Sequence, residues 1–393
     1  MLFKIIWIIV MIIILYINSI RKPVIYKSIK EMNNITLQYI FPIILLNSGI
    51  IQSILGRLSR NISLNYLATK HNISLKIKEG IEIIIDVYEP LNTKSYTLIQ
   101  RVLLLFKLYI NTQPSSSFVN NELTNIVLLH GLNSNSDARY ILCTAKIFLR
   151  KGCRVFCLND RGTKGLFKST DFSHMGKTDD IHHITKYILK TYKGKIFYVG
   201  FSQGANNLTK YMGEYDHEKI IGGISICNPF NVLKCENYIK KQGIIGKLCC
   251  WGVTMSLKTH LNNVLFKTNN IIDDTLRFQI NRSTFPSEIM KLLIKNKILV
   301  SYDNFNQFLK DACSENFINT ISKPLLFINA DDDPIIPLEA IPFSKIFLNE
   351  NIALIITQGG HLGFKSFNLG FTLENIIQEF YNSLSKIQYK CKT

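Results

Sequence analysis

Lys195-Ile-Phe-Tyr-Val-Gly200-Phe-Ser202-Gln-Gly204-Ala-Asn206 is the stretch on which the reading of this chain turns. Ile196 to Val199 is a short apolar, β-favouring run, and the residues from Gln203 onward carry a helical period, so a strand passes into a helix across Ser202. The glycines at −2 and +2 have a steric reason. A nucleophile raised on a sharp strand-to-helix turn presses its neighbours together, and a Cβ at either place would collide. The bare G-x-S-x-G pattern arises by chance in many chains; the strand before it and the helix after it give it weight.

Such an elbow calls for an acid and then a histidine, each just beyond a later strand. Pro324-Leu-Leu-Phe-Ile-Asn329 reads as one strand and is followed by Ala330-Asp331-Asp332-Asp333-Pro334. Ile352-Ala-Leu-Ile-Ile-Thr357 reads as the next and leads to Gln358-Gly-Gly-His361-Leu-Gly363-Phe364. His361, in a glycine-rich loop, has room to reach the serine. Three residues past Asn329 selects Asp332 as the acid, whereas the spacing to Pro337 would select Asp333; Asp332 is the choice and Asp333 the alternative. An oxyanion hole needs two backbone N–H groups, one just after the nucleophile and one from an earlier strand's loop. Gln203 supplies the first and Leu132, in His130-Gly131-Leu132, the second, with His130 buttressing the loop.

Outward from the elbow the chain alternates strands and helices, which predicts a mostly parallel sheet covered on both faces. Strands are expected at Asn125–His130, Arg154–Leu158, Ile196–Gly200, Ile220–Ile226, Leu325–Asn329 and Ala353–Thr357. Helices are expected at Ala138–Lys151, Asp179–Tyr192, Gln203–Gly213, Leu338–Leu348 and Leu373–Ser385. A hairpin, Ile73–Lys78 with Ile81–Tyr88, feeds the sheet. The catalytic core is therefore placed at 73–228 and 324–390, with a helical cap at 229–323 and a variable insertion at 91–124.

The chain has 393 residues, 47% hydrophobic, with 46 Lys and Arg against 28 Asp and Glu, a formal charge of +18. This composition excludes a disordered tail, a collagen and a small disulfide scaffold. The lysines are spread without a block, which argues against a nucleic-acid partner and leaves an anionic lipid surface as a use for the charge. Nine cysteines match no zinc or redox spacing and read as reduced core residues. Of the sequons, Asn207 falls inside the elbow helix, a poor place for a glycan. Leu2 to Ile20 is an apolar run of about 28 Å as a helix, long enough to cross a bilayer. Ile17-Asn-Ser19 is a poor cleavage site, so 1–20 is expected to be an uncleaved signal-anchor of a single-pass endomembrane protein, such as one of the endoplasmic reticulum. Arg21, Lys22, Lys27 and Lys30 would hold the bulk of the chain cytosolic. Residues 21–72 form an extension, in which Ile40–Leu58, broken by Pro42 and Gly49, packs on the domain or rests in the interface.

His130-Gly131-Leu132, Asn159-Asp-Arg161-Gly162, Gly200-x-Ser202-x-Gly204-x-Asn206, Asn329-Ala-x-Asp332-Asp333-Pro334 and Gly359-Gly-His361-x-Gly363-Phe364 together resemble the type-4 family of the AB hydrolase superfamily. That family includes α/β-hydrolase domain-containing proteins 1, 2 and 3 and the yeast medium-chain fatty acid ethyl ester synthase/esterases. The resemblance implies the α/β-hydrolase fold, an N-terminal anchor, an esterase or lipase for short- to medium-chain acyl esters including glycerolipids, and Asp332 as triad acid. Gln203 stands where many members have Met or Leu, and Ala205 where they have Gly. No metal or cofactor is implied. Two other functions share these residues: an alcohol acyltransferase using the same acyl-enzyme, and a non-catalytic lipid-binding relative. His174-x4-Asp179 matches an acyltransferase string at near-chance frequency.

Overall fold

A computed structural model describes residues 24–27, 62–91, 122–165, 167–266, 272–364 and 373–390. The expected anchor at 1–20, the Ile40–Leu58 stretch and most of the 91–124 insertion lie outside the described residues. Among those described, no helix is long and apolar enough to cross a membrane.

Nine strands form one sheet in the order β1-β9-β8-β7-β6-β4-β5-β3-β2. They are β1 (Val24–Lys27), β2 (Ala68–Lys78), β3 (Ile81–Pro90), β4 (Asn125–Leu129), β5 (Arg154–Leu158), β6 (Ile196–Phe201), β7 (Ile220–Ile226), β8 (Leu325–Ala330) and β9 (Ile352–Thr357). From β5 through β4, β6, β7 and β8 to β9 the pairing is parallel, while β3, β2 and β1 join antiparallel at the flanks. The parallel strands are buried along their whole length, because helices cover both faces and every side chain must be apolar or paired. The β2–β3 hairpin is longer than expected: pairing runs on to Ala68↔Pro90.

Alternate strand residues divide between two cores. Ile126, Leu128, Phe197 and Val199 face α1 (Arg139–Leu149) and α10 (Glu374–Lys390), where Phe148, Ile377 and Phe380 meet them. Val127, Tyr198 and Phe327 share the other core with Ile184 of α2 (Asp179–Thr191), Leu208 and Tyr211 of α3 (Gln203–Glu214) and Ile346 of α9 (Phe343–Leu348). The single helix expected over Leu338–Leu348 is instead a 3-10 turn, Leu338–Ala340, followed by α9. Pro342 is the cause: it has no N–H to donate, and it holds Ile341 extended at ψ 122°.

Between β7 and β8 the chain leaves the sheet as α4 (Val232–Lys241), α5 (Gly243–Leu261), a π-helical turn at Asn262–Phe266, α6 (Asp274–Arg282), α7 (Pro286–Lys295) and α8 (Phe305–Ala312). These helices build a third core in which Leu261, Ile280, Ile289, Leu293 and Phe308 meet Phe167 and Phe172 from the loop after β5. Arg161 fixes that loop, pairing its buried guanidinium with Asp180 and Asp171. The eight described cysteines are free thiols, six of them buried. Asn207 is buried in α3, where it accepts from the Gly176 N–H and donates to the His174 carbonyl, so a glycan has no room there.

The winding of the sheet reverses at β4: β5 lies on one side of it and β6 on the other. In open parallel sheets such a reversal opens a crevice beyond the strands' carboxyl ends. Leu132, Ser202, Asp333 and His361 all follow the carboxyl ends of parallel strands, so four loops distant in sequence converge on one place.

Candidate active site

Ser202 sits between β6 and α3 with φ 53° and ψ −114°, a left-handed backbone that a non-glycine residue adopts only under strain. Two close approaches hold it. A Cβ on Gly200 would lie 2.5 Å from the Gly204 carbonyl oxygen, and one on Gly204 would lie 2.5 Å from the Leu129 oxygen and 2.6 Å from that of His130. The Ser202 N–H donates to the Ile226 carbonyl of β7 at 2.9 Å, which ties the turn to the sheet.

His361 brings its Nε2 within 3.0 Å of Ser202 Oγ. Its Nδ1 is 2.9 Å from Asp333 Oδ2. With a carboxylate at Nδ1, the proton resides there, leaving Nε2 to accept from the serine hydroxyl. Asp333 is buried, and its second oxygen accepts from the N–H groups of Ile335 and Ile336 at 2.8 and 3.0 Å, so the carboxylate is held from both ends.

The expectation of Asp332 in that place is corrected. β8 runs one residue further than expected, to Ala330, and three residues past its true end is Asp333. Asp332 points to the other side of the loop, where Oδ1 accepts from the N–H groups of Gly359 and Gly360 at 2.9 and 2.8 Å. Burial pushes its pKa up, and those two N–H groups oppose the rise without cancelling it. Asp332 thus braces the start of the loop that carries His361.

Leu132 and Gln203 both line the cavity in front of Ser202. Gln203 opens α3, where first-turn N–H groups have no carbonyl a turn earlier to meet. Its side chain turns away to donate to Asp160 Oδ2 at 3.1 Å, so its backbone is what it offers the site. Gly131 runs so close that a Cβ there would be 3.3 Å from Ser202 Cβ. His130 Nε2 accepts from the Asp160 N–H at 3.1 Å, and Nδ1 lies 2.8 Å from the Gly131 carbonyl, which fits a neutral ring bracing the loop. Tyr140, which the sequence reading did not single out, accepts from the Gly131 N–H at 3.0 Å and donates to Ser134 at 2.9 Å.

The cavity measures about 450 Å³, within the ordinary range for small-molecule sites. Ser202 and His361 stand at one wall. Val232, Leu233, Val253, Leu257, Met290 and Phe308 contribute apolar lining from the helices between β7 and β8. His174 also reaches it, buried among Phe172, Tyr302 and Phe308, and that burial drives its pKa down to about 4. Asp179 is spent on Lys177 at the surface, so the His174-x4-Asp179 string does not assemble into a dyad.

A family model described as the alpha/beta hydrolase fold matches residues 124–248, the span containing β4, the elbow and both candidate oxyanion amides. An abhydrolase domain-containing protein of Dictyostelium discoideum is 30% identical over 250 residues, 62% of each chain. The monoacylglycerol lipase ABHD2 of Homo sapiens is 23% identical over 378 residues, covering 91% of this chain and 82% of its own. The chain thus carries the alpha/beta hydrolase fold and is similar to abhydrolase domain-containing proteins. It spans 62% of the Dictyostelium relative's length. Among solved structures, an esterase of Pyrococcus furiosus is 15% identical with a TM-score of 0.49, covering 83% of this chain and 97% of that one.

Proposed function

We propose that this protein is an abhydrolase and a membrane-anchored serine ester hydrolase, acting on short- to medium-chain acyl esters of the acylglycerol type. Ser202 Oγ attacks the ester carbonyl while its proton passes to His361 Nε2. Asp333 keeps the imidazole in the Nδ1–H tautomer and stabilises the cation that forms. The amides of Leu132 and Gln203 receive the negative charge developing on the carbonyl oxygen. His361 returns the proton to the departing alcohol, and a water activated by the same imidazole then releases the acid from Ser202.

The observation that carries this reading is the unbroken relay from Asp333 through His361 to Ser202 at the wall of an apolar cavity. The apolar lining suits an acyl chain, and the names of several relatives, monoacylglycerol lipases, agree with such a substrate. The apolar run at 1–20 would keep the protein at a bilayer, where lipid esters reside. The test is release of fatty acid from monoacylglycerols and p-nitrophenyl esters of graded chain length, with and without ethanol. Hydrolysis of medium chains lost in Ser202→Ala supports the reading. Products found only as ethyl esters would make the enzyme a transferase, and no turnover by the folded wild type would refute the proposal.

A further inference from the structure

α5 is apolar on two opposite faces and yet lies at the surface. Its inner face supplies Cys250, Val253 and Leu257 to the cavity wall, and Leu261 to the core beneath. Its outer face presents Ile244, Leu248, Trp251 and Met255, at the i, i+4, i+7 and i+11 spacing of one helical stripe, together with Ile245. Ile244 is 78% exposed, Trp251 66% and Leu248 64%, and no other helix gathers so many exposed large apolar side chains among the described residues. A helix apolar all round is ordinarily buried, and scattered single residues would not make a stripe. The stripe is not a loose end either: Gly246 packs so tightly on the Ile239 carbonyl of α4 that a Cβ would overlap it, so α5 is locked to its neighbour with this face outward.

Within the stripe's own segment of chain the charge has one sign. From Asn237 to Leu261 the sequence contains Lys240, Lys241, Lys247 and Lys258 and no Asp or Glu. Lys241 and Lys247 are exposed beside the stripe. Glu236, the acid just before this stretch, is buried, where it accepts from Ser287 and Lys240. An apolar stripe with an indole among its aliphatic side chains and lysines at its margin fits the boundary between headgroups and acyl chains of an anionic bilayer.

We propose that the outer face of α5 docks on an anionic lipid surface, so that one helix forms both the membrane contact and the cavity wall behind it. This is a contact separate from residues 1–20, and it rests on the lipid-ester reading only for its purpose, the delivery of substrate to Ser202. Docking here would set the cavity against the layer from which an acyl ester is drawn.

Trp7 and Trp251 are the two tryptophans of the chain, so full-length protein carrying Trp7→Phe reports on α5 alone. Its emission would be followed with vesicles of phosphatidylcholine, and of phosphatidylcholine with one-third phosphatidylserine, each with and without brominated acyl chains. The proposal expects a blue shift and bromine quenching with the anionic vesicles and much less with the neutral ones. Lys241→Glu and Lys247→Glu should each raise the anionic lipid needed for half-maximal quenching about fivefold or more, and Leu248→Asp should abolish quenching. An unquenched Trp251 in both vesicle types would overturn the proposal, as would quenching indifferent to phosphatidylserine. Emission already blue-shifted without lipid would overturn it too, since a second copy or another part of the chain would then cover the stripe. Hydrolysis of a soluble short-chain ester in the same samples separates the two claims: failure there with docking intact counts against Ser202 chemistry, and hydrolysis without docking counts against the α5 contact.

Discussion

Asp333 Oδ2 lies 2.9 Å from His361 Nδ1, while the neighbouring Asp332 accepts from the Gly359 and Gly360 N–H groups two and one residues ahead of the same histidine. Adjacent carboxylates therefore serve one loop in two ways, one at the ring and one at the backbone. Asp333→Asn presents an amide where the carboxylate stood, which favours the wrong tautomer, and should lower kcat by roughly 10³- to 10⁴-fold. Asp332→Asn retains an oxygen that can accept both N–H bonds and should lower kcat by no more than about tenfold, with a stability loss of about 1 kcal/mol. Steady-state kinetics and urea unfolding of the two variants distinguish the roles; equal losses of kcat would refute the assignment.

The elbow makes a prediction about stability. Gly204→Ala places a methyl 2.5 Å from the Leu129 carbonyl oxygen, which belongs to strand backbone and cannot swing aside. Denaturant unfolding should show a loss of about 1–3 kcal/mol or more, accompanied by loss of turnover because Ser202 is carried by the same turn.

Tyr140 tests the oxyanion loop from behind. Tyr140→Phe removes the acceptor for the Gly131 N–H and the donor to Ser134. The expected outcome is a stability loss of about 1–3 kcal/mol for the stranded buried donor, and a fall in kcat larger than any change in KM, since the proposed oxyanion amide of Leu132 would act in the transition state.

The parallel strands were legible in the sequence almost residue for residue, because a strand buried on both faces is an uninterrupted apolar run, as in Ile196–Phe201 and Ile352–Thr357, whereas the edge strand β1 (Val24–Lys27) was not foreseen and β2 was read five residues short. Ser202 and His361 were legible for a related reason: each follows such a run at a fixed offset. Asp332 was chosen over the alternative Asp333 because the position was counted from a strand end, and Ala330 is as compatible with strand as with loop. Leu338–Leu348 kept a helical period through Pro342, and periodicity does not register a missing N–H. Tyr140 carried no signal, since its role is a contact of its hydroxyl with a loop nine residues back. The outer stripe of α5 was hidden too: apolar residues on two opposite faces of a helix read as core until exposure is known.

His174 predicts a pH dependence of stability. Its folded pKa, about 4, is below the ordinary 6.5, so the unfolded chain binds the proton first as pH falls. Its contribution is complete above the unfolded value and is lost on descending from pH 6.5 to 4, amounting at most to about 3 kcal/mol for a shift of this size. Stability measured by urea across that window should fall with decreasing pH, and His174→Gln should flatten the slope. An unchanged slope would mean that the ring is not held neutral.

Val253, on the inner face of α5, lines the cavity. Val253→Trp should shorten the space for an acyl chain and shift the ratio of kcat/KM for twelve-carbon against four-carbon esters toward the short one by about tenfold or more, with labelling of Ser202 unaffected.

If Ser202 is a nucleophile activated through His361 and Asp333, it will form a fluorophosphonate adduct, read by intact-protein mass spectrometry and peptide mapping. The wild type should gain one adduct, mapped to Ser202; Ser202→Ala and His361→Ala should gain none, and Asp333→Asn should react far more slowly. A folded wild type that gains no adduct, or a Ser202→Ala variant that labels as fast as the wild type, would mean that Ser202 is not the activated nucleophile.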